Sequence, residues 1–308
     1  MKLENIELSF DNFASEMSKL KNQKHFDYLV TIIGEDFGEE GLGCIYILEN
    51  TDNNERCSVK TIAKKVDDSD VIPTVVELWK AAELLEREVF DFVGIKFLGH
   101  PDMRRLFLRT DFNGYPLRKG FDMSPEANQF PLTDEPESDF TTVYSLNEDG
   151  HLVATKKRLF DDDDFVVNIG PNHPSTHGVL RLQTVLDGEK VKRIYPHLGY
   201  IHRGIEKMWE GMTYPQTLAL TDRLNYLSAM MHRHALVGVI EEGMGIELSD
   251  RIHYIRTIMD ELQRIDSHLL YLGCTAQDLG ALTAFLYCMR DREHVLNVME
   301  ETTGGRLI

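Results

Sequence analysis

Two different hydrophobic rhythms, one on each side of an acidic stretch, constrain the fold of this chain most strongly. Residues 131–164 are acidic and polar and end in the four aspartates 161–164. Such a run is a solvated connector rather than core. Upstream of it, residues 25–34 and 43–48 are rich in Tyr, Val and Ile and read as strands, with a third at 56–66. Residues 10–20 carry apolar groups at helical spacing, and a second helix is expected over 73–87. The glycine-rich segment 34–43 contains four carboxylates that would repel phosphate, so it reads as a hairpin turn. After Val93 the chain turns rich in Gly, Pro and charge and is expected to run over the surface as an arm.

Downstream the rhythm changes. Strands are expected near 165–169, 178–186 and 190–195, turning at Asp187-Gly188. Helices follow at 222–242 and 279–300. Between them, Ser249 can cap a long helix with Ile252, Ile255, Met259, Leu262, Ile265, Leu269 and Leu272 at steps of three and four. That stripe predicts one buried face, and Gly273 stands where the helix should stop. The expected fold class is α+β. An N-terminal mixed α/β domain with an extended C-terminal arm (1–130) is followed by an acidic linker (131–164). A small β-element then leads into a mainly helical bundle (165–308).

Composition narrows the function classes. The 308 residues are 42% hydrophobic and 27% charged, enough for a buried core and about two domains. A net charge of −18 repels phosphate backbones and offers no basic patch to anionic lipid, so no nucleic-acid partner is expected. No apolar run approaches the roughly 18 residues needed to span a bilayer, and the N-terminus carries no secretory signal pattern. The sequence thus reads as a soluble chain that meets a membrane only through partner proteins. Cys44, Cys57, Cys274 and Cys288 are scattered and read as free thiols in a reducing cytoplasm, not as cluster ligands. There is no Gly-x-Gly-x-x-Gly dinucleotide motif and no flavin motif.

Several motifs carry chemistry. Residues 168–178 read Asn-Ile-Gly-Pro-Asn-His-Pro-Ser-Thr-His-Gly, with His173 and His177 four apart. Pro174 and Gly178 make a continuous helix there unfavourable, so the spacing alone does not make a shared metal face. A metal pair and a turn histidine with structural hydrogen bonds both stay open on the residues themselves. Further on stand Gly-Tyr-Ile-His-Arg-Gly-Ile-Glu-Lys (199–207), Thr-Asp-Arg-Leu-Asn-Tyr (221–226) and Ser-His-Leu-Leu-Tyr-Leu-Gly (267–273). Upstream are Glu-Arg-Glu-Val-Phe-Asp-Phe-Val-Gly-Ile-Lys-Phe-Leu-Gly-His-Pro-Asp-Met-Arg-Arg (86–105) and Asp-Phe-Asn-Gly-Tyr-Pro-Leu-Arg-Lys (111–119).

The later set resembles the D component, and the earlier set the C component, of bacterial NADH:quinone oxidoreductase, respiratory complex I. The chain therefore resembles a C–D fusion, and the D-like part of the family continues beyond Ile308, so a truncated D region is expected. The resemblance implies that His177 heads a quinone chamber, that Tyr226 faces the quinone headgroup, and that Asp278 pairs with the histidine. On the residues alone, Tyr226 would be a core tyrosine and Asp278 a helix cap. The resemblance also implies that His202 and Arg203 face the terminal iron–sulfur cluster held by the B component; otherwise Arg203 reads as a surface ion pair with Glu206 or Glu210. No cofactor is expected on this chain. Quinone is the substrate, and iron–sulfur clusters and flavin belong to partner subunits. The implied partners are the B, H, I and A components of complex I, with G as a further candidate, at the cytoplasmic face of the bacterial inner membrane. The chain alone is expected to be inactive.

Two alternatives stand beside this reading. The large subunit of an energy-converting [NiFe] hydrogenase would need Arg-x-Cys-x-x-Cys where residues 223–228 read Arg-Leu-Asn-Tyr-Leu-Ser, without thiolates. A non-catalytic scaffold suits residues 1–130, whose arm reads as a protein-contact surface. Arg233 and Gly120 depart from the family pattern, each where an acidic residue is usual.

Overall fold

The computed structural model describes residues 4–124, 139–172 and 178–306. The chain divides into two compact units, the first running to Gly204 and the second starting at Ile205. That division lies forty residues beyond the expected linker.

The first unit is built on three sheets. Strands β1 (Glu4–Leu8), β2 (Tyr28–Asp36), β3 (Leu42–Asn50) and β4 (Glu55–Ile62) form one in the order β1-β4-β3-β2, with only β1 parallel to its neighbour. Period-two burial in β3 places Leu42, Cys44, Tyr46 and Leu48 inside. Helix α1 (Phe10–Asn22) sets Phe13, Met17 and Leu20, at steps of four and three, in the same core. Helix α2 (Ala82–Val93) packs near β2, where a Cβ on Gly34 would stand 2.6 Å from the Val89 side chain. Glycine at 34 is what admits this approach.

The second sheet joins β5 (Lys64–Val66), β6 (Ser69–Pro73), β7 (Lys96–Leu98), β8 (Phe140–Leu146) and β9 (Leu152–Arg158) in sequence order. Its last two strands are an antiparallel hairpin inside the segment expected to be linker. Residues 140–146, Phe-Thr-Thr-Val-Tyr-Ser-Leu, carry no charge within this acidic stretch and pair with 152–158. A third, antiparallel sheet contains β10 (Phe165–Ile169), β11 (Arg181–Asp187) and β12 (Lys190–His197), close to the expected bounds.

The expected helix at 73–87 is displaced to α2. Residues 74–81 form turns that bury Val75, Val76 and Trp79, while Gly94, at φ +85°, ends the helix later than anticipated. The expected strand at 56–66 is two strands broken at Ala63. The arm beyond Val93 folds back on α2. Leu117 N–H donates to Phe92 O at 3.0 Å, and Arg118 Nε donates to Val93 O at 2.7 Å.

The second unit is helical: α3 (Ile205–Trp209), α4 (Tyr214–Thr221), α5 (Ala229–Met244), α6 (Asp250–Asp278) and α7 (Leu282–Thr303). The helix expected over 222–242 is instead preceded by a turn between α4 and α5. Gly273 does not stop α6. It lies inside it, and a Cβ there would come within 3.2 Å of Phe285 and Met289 on α7. The missing side chain lets the two helices approach, and this outweighs the weak helix propensity of glycine. The expected buried stripe is also corrected. Met259 is buried, but Ile252, Ile255, Ile265 and Leu272 are exposed, because within this unit α6 packs chiefly against α7. Met259, Leu296 and Met299 form the small apolar core, beside a buried Asp266 that Arg292 approaches to 3.0 Å. No helix among the described residues is long and apolar enough to cross a membrane.

Candidate functional site

The candidate residues occupy three places. His173 and His177 lie outside the described residues. The base of their loop is described: Gly170, at φ +91°, has its Cβ position 1.9 Å from Leu180 O, so the two chain ends meet backbone to backbone. Only glycine fits that pinch.

Tyr226 stands in the turn between α4 and α5. It is 65% exposed, so it is not the core tyrosine that a bare sequence reading suggests. The turn is built from polar contacts. Asn225 Oδ1 accepts from Leu227 N–H at 3.1 Å, and Gln263 Nε2, from α6, donates to Leu227 O at 3.3 Å. Asp222, on the same turn, is buried beside Arg223 Nη1 at 3.4 Å. Asp278 is the last residue of α6, fifteen positions beyond Gln263. At the helical rise that is about 22 Å along the axis. Tyr226 thus sits beside the middle of α6 and Asp278 at its end.

His202 and Arg203 lie in the loop after β12. Arg203 is exposed, and Glu210, one of its expected ion-pair partners, binds Lys207 at 2.8 Å. His202 is half-buried and stacks on Phe92, with centroids 5.0 Å apart and planes at 24°.

A buried charged network in the first unit escaped the sequence reading. Glu86, Asp91 and His100 are fully buried, and Arg87 and Asp102 nearly so. Asp91 Oδ2 accepts the N–H groups of Leu106, Phe107 and Leu108 at 2.7–3.0 Å, and its Oδ1 accepts from Arg105 Nη1 at 2.9 Å. Asp102 accepts two bonds from Arg104, at 2.8 and 2.7 Å, and one from Thr141 Oγ1 at 2.7 Å. Burial opposes its charge, but Arg104, Arg87 and Thr141 together hold its carboxyl well below the usual range. Helix α2, Ala-Glu-Leu-Leu-Glu-Arg-Glu-Val-Phe-Asp-Phe-Val, looks like an amphipathic surface helix. The available signal was the pair Arg104-Arg105 downstream, which could neutralise its carboxylates.

Two members of this network set a pH dependence. Burial pushes Glu86 up to about 8 although it accepts from Thr74 Oγ1 at 2.5 Å and Val75 N–H at 2.8 Å. Burial also drives His100 down to about 4; its Nδ1 accepts Asp102 N–H at 3.0 Å, leaving Nε2 to donate to Glu83 O at 3.0 Å. The folded protein keeps a proton on Glu86 that the unfolded chain releases above its ordinary value of 4.5. Stability from Glu86 is therefore full below pH 4.5 and falls as pH rises to about 8. His100 acts oppositely: its contribution is full above pH 6.5 and is lost as pH falls towards 4. The slopes cancel between 4.5 and 6.5, and a net decline remains from 6.5 to 8. In urea titrations across that range, Glu86→Gln should abolish the decline, since its amide oxygen still accepts from Val75 N–H. A decline of the same size in the variant would refute the assignment.

Among the described residues, no group of three or more His, Cys, Asp or Glu side chains could hold a metal ion. Comparison with known proteins supplies what the geometry does not. Residues 6–127 match the family described as respiratory-chain NADH dehydrogenase, 30 Kd subunit, and residues 278–308 match the 49 Kd subunit family. The class is thus a chain that joins two respiratory dehydrogenase subunits. It is 53% identical over 305 residues to the NADH-quinone oxidoreductase C/D subunit of Phocaeicola vulgatus, covering 99% of this chain and 58% of that protein. The same identity extends over 304 residues to the C/D subunit of Bacteroides fragilis, covering 95% and 57%. The second C/D subunit of Aquifex aeolicus is 40% identical over 315 residues, covering 98% and 53%. The chain belongs to the family of fused C/D subunits of NADH-quinone oxidoreductase. It spans a little over half the length of these relatives.

Proposed function

We propose that this chain is a peripheral-arm component of a proton-translocating NADH:quinone oxidoreductase and contributes part of its quinone-reduction chamber. The observation that carries the reading is the 53% identity across nearly the whole chain, covering both the C-like and the D-like parts. In the assembled enzyme, Tyr226 and His177 hydrogen-bond the quinone carbonyls. Reduction to quinol adds two electrons and two protons, and a phenol and an imidazolium can each donate one. Asp278 orients the imidazole and favours its protonated form. The exposure of Tyr226 supports this reading, because the residue is not enclosed by the core and is open to a ligand. The exposure of Arg203 likewise leaves it open to face the cluster of the B component, where a cation favours the reduced state.

Electrons then arrive through clusters and flavin in partner subunits, and this chain holds no cofactor of its own. Its neighbours are the B, H, I and A components, with G as a further candidate. They tie it to the cytoplasmic face of the bacterial inner membrane. The exposed apolar residues of α6 and α7 support a bundle that packs against more protein than the described residues provide. A hydrogenase large subunit is disfavoured by Tyr226 and Ser228, which cannot act as bridging thiolates.

The test compares the purified chain with the tagged C/D protein captured in its assembly from membranes. The chain alone should neither oxidise NADH nor reduce quinone, whereas the captured assembly should do both and show iron–sulfur signals by electron paramagnetic resonance. Turnover by the chain alone, or a captured assembly without such signals, would overturn the reading.

A further inference from the structure

The loop that follows β12 is gripped by aromatic residues of the C-like part. Gly199 has φ +97°, and a Cβ there would lie 2.0 Å from Phe107 O, so the loop backbone rests directly on that of Phe107. His202 N–H donates to Gly199 O at 2.9 Å and closes the turn. The His202 ring then meets Phe92 at 5.0 Å and Phe107 at 5.7 Å, while those two rings stack on each other at 5.5 Å and 17°. Phe107 is itself fixed, because its N–H is one of the three that Asp91 collects. The other side chains of the turn point outward: Ile201 is 75% exposed, and Tyr200 and Arg203 are also exposed.

We propose that His202 is a positioning residue whose ring seats the loop in the Phe92–Phe107 slot and so fixes the direction of Arg203. Phe92 stacks on both other rings, at 17° and 24°, while Phe107 and His202 are tilted at 40° to each other, and such packing acts through shape and polarizable area. A benzene ring can replace imidazole in that role, whereas a methyl group leaves the slot unfilled. The C-like part is then a template for a loop that belongs, by sequence, to the D-like part. The importance of this device for turnover rests on the reading that the loop lies beside the partner's cluster.

Amide hydrogen exchange on the C/D protein separates shape from charge. In His202→Ala, exchange across residues 199–204 should rise about tenfold, as expected when two ring contacts are lost. In His202→Phe it should stay within about twofold of wild type. Equal acceleration in both variants, or none in His202→Ala, would overturn the proposal. Quinone reduction by the assembled His202→Ala enzyme tests the functional reading separately. If exchange follows the stated order but turnover is unchanged, the loop is seated as described and its place beside the cluster is refuted.

Discussion

Replacing Asp91 by alanine should lower the melting temperature of the N-terminal unit by about 10 °C, the largest stability effect expected of a single residue in this chain. Asp91 is fully buried and gathers three consecutive backbone N–H groups and the Arg105 guanidinium. Alanine would leave those three donors without acceptors in a site that water does not reach. Breaking a buried pair on one side costs about 3–5 kcal/mol, because the remaining charge stays desolvated. The lower end applies here, since Arg105 keeps the carbonyls of Asp91, Phe112 and Gly114 as acceptors. For a unit of this size, each kcal/mol shifts the midpoint by about 2–4 °C. Asp91→Asn should recover only part of the loss: one of its two side-chain atoms becomes a donor facing donors. The chain's two tryptophans lie one in each unit, Trp79 and Trp209. A Trp209→Phe background therefore lets Trp79 fluorescence report on the N-terminal unit alone. An unchanged midpoint in Asp91→Ala would show that the carboxylate does not organise residues 104–108.

The second large effect concerns chemistry. In the complete enzyme, Tyr226→Phe should slow quinone reduction by about one to two decades while leaving electron transfer into the clusters intact. The substitution removes a single hydroxyl. Phenylalanine keeps the ring, and the Gln263–Leu227 bond that holds the turn does not involve the Tyr226 hydroxyl, so the local fold is preserved. Under the proposed function, what disappears is a donor to the quinone carbonyl, and a hydrogen bond lost in a buried site costs roughly 1–3 kcal/mol. Realised in the transition state, that becomes the stated range of rates. Artificial-acceptor and quinone assays run in parallel on the same assembled preparation separate the two halves of the reaction. Parallel loss in both assays would indicate failed assembly. Normal quinone kinetics would remove Tyr226 from the site without touching the family assignment.

Residue patterns alone recovered those parts of the molecule governed by local rules. Alternation in β3 and the four-three spacing in α1 report which side chains can share a face, and the structure buries those faces. Turn chemistry at Asp187-Gly188 set the third sheet's hairpin within a residue or two. The family motifs identified the C/D fusion because they are strings of residue types, readable without coordinates. Tertiary structure decided the rest. Whether the stripe on α6 is covered depends on how much protein stands opposite it, and no periodicity in one helix contains that information. Asp91 became an interior residue because an arm fifteen positions downstream brought an arginine and backbone N–H groups to it, and Glu86 because the turn upstream of α2 supplied the Thr74 hydroxyl and the Val75 N–H. Burying a carboxylate is costly in isolation and tolerable only with such partners, which are distant in sequence. His202 has the same character: a polar residue in a polar motif, it became one ring of an aromatic stack because Phe92 and Phe107 were folded beneath it.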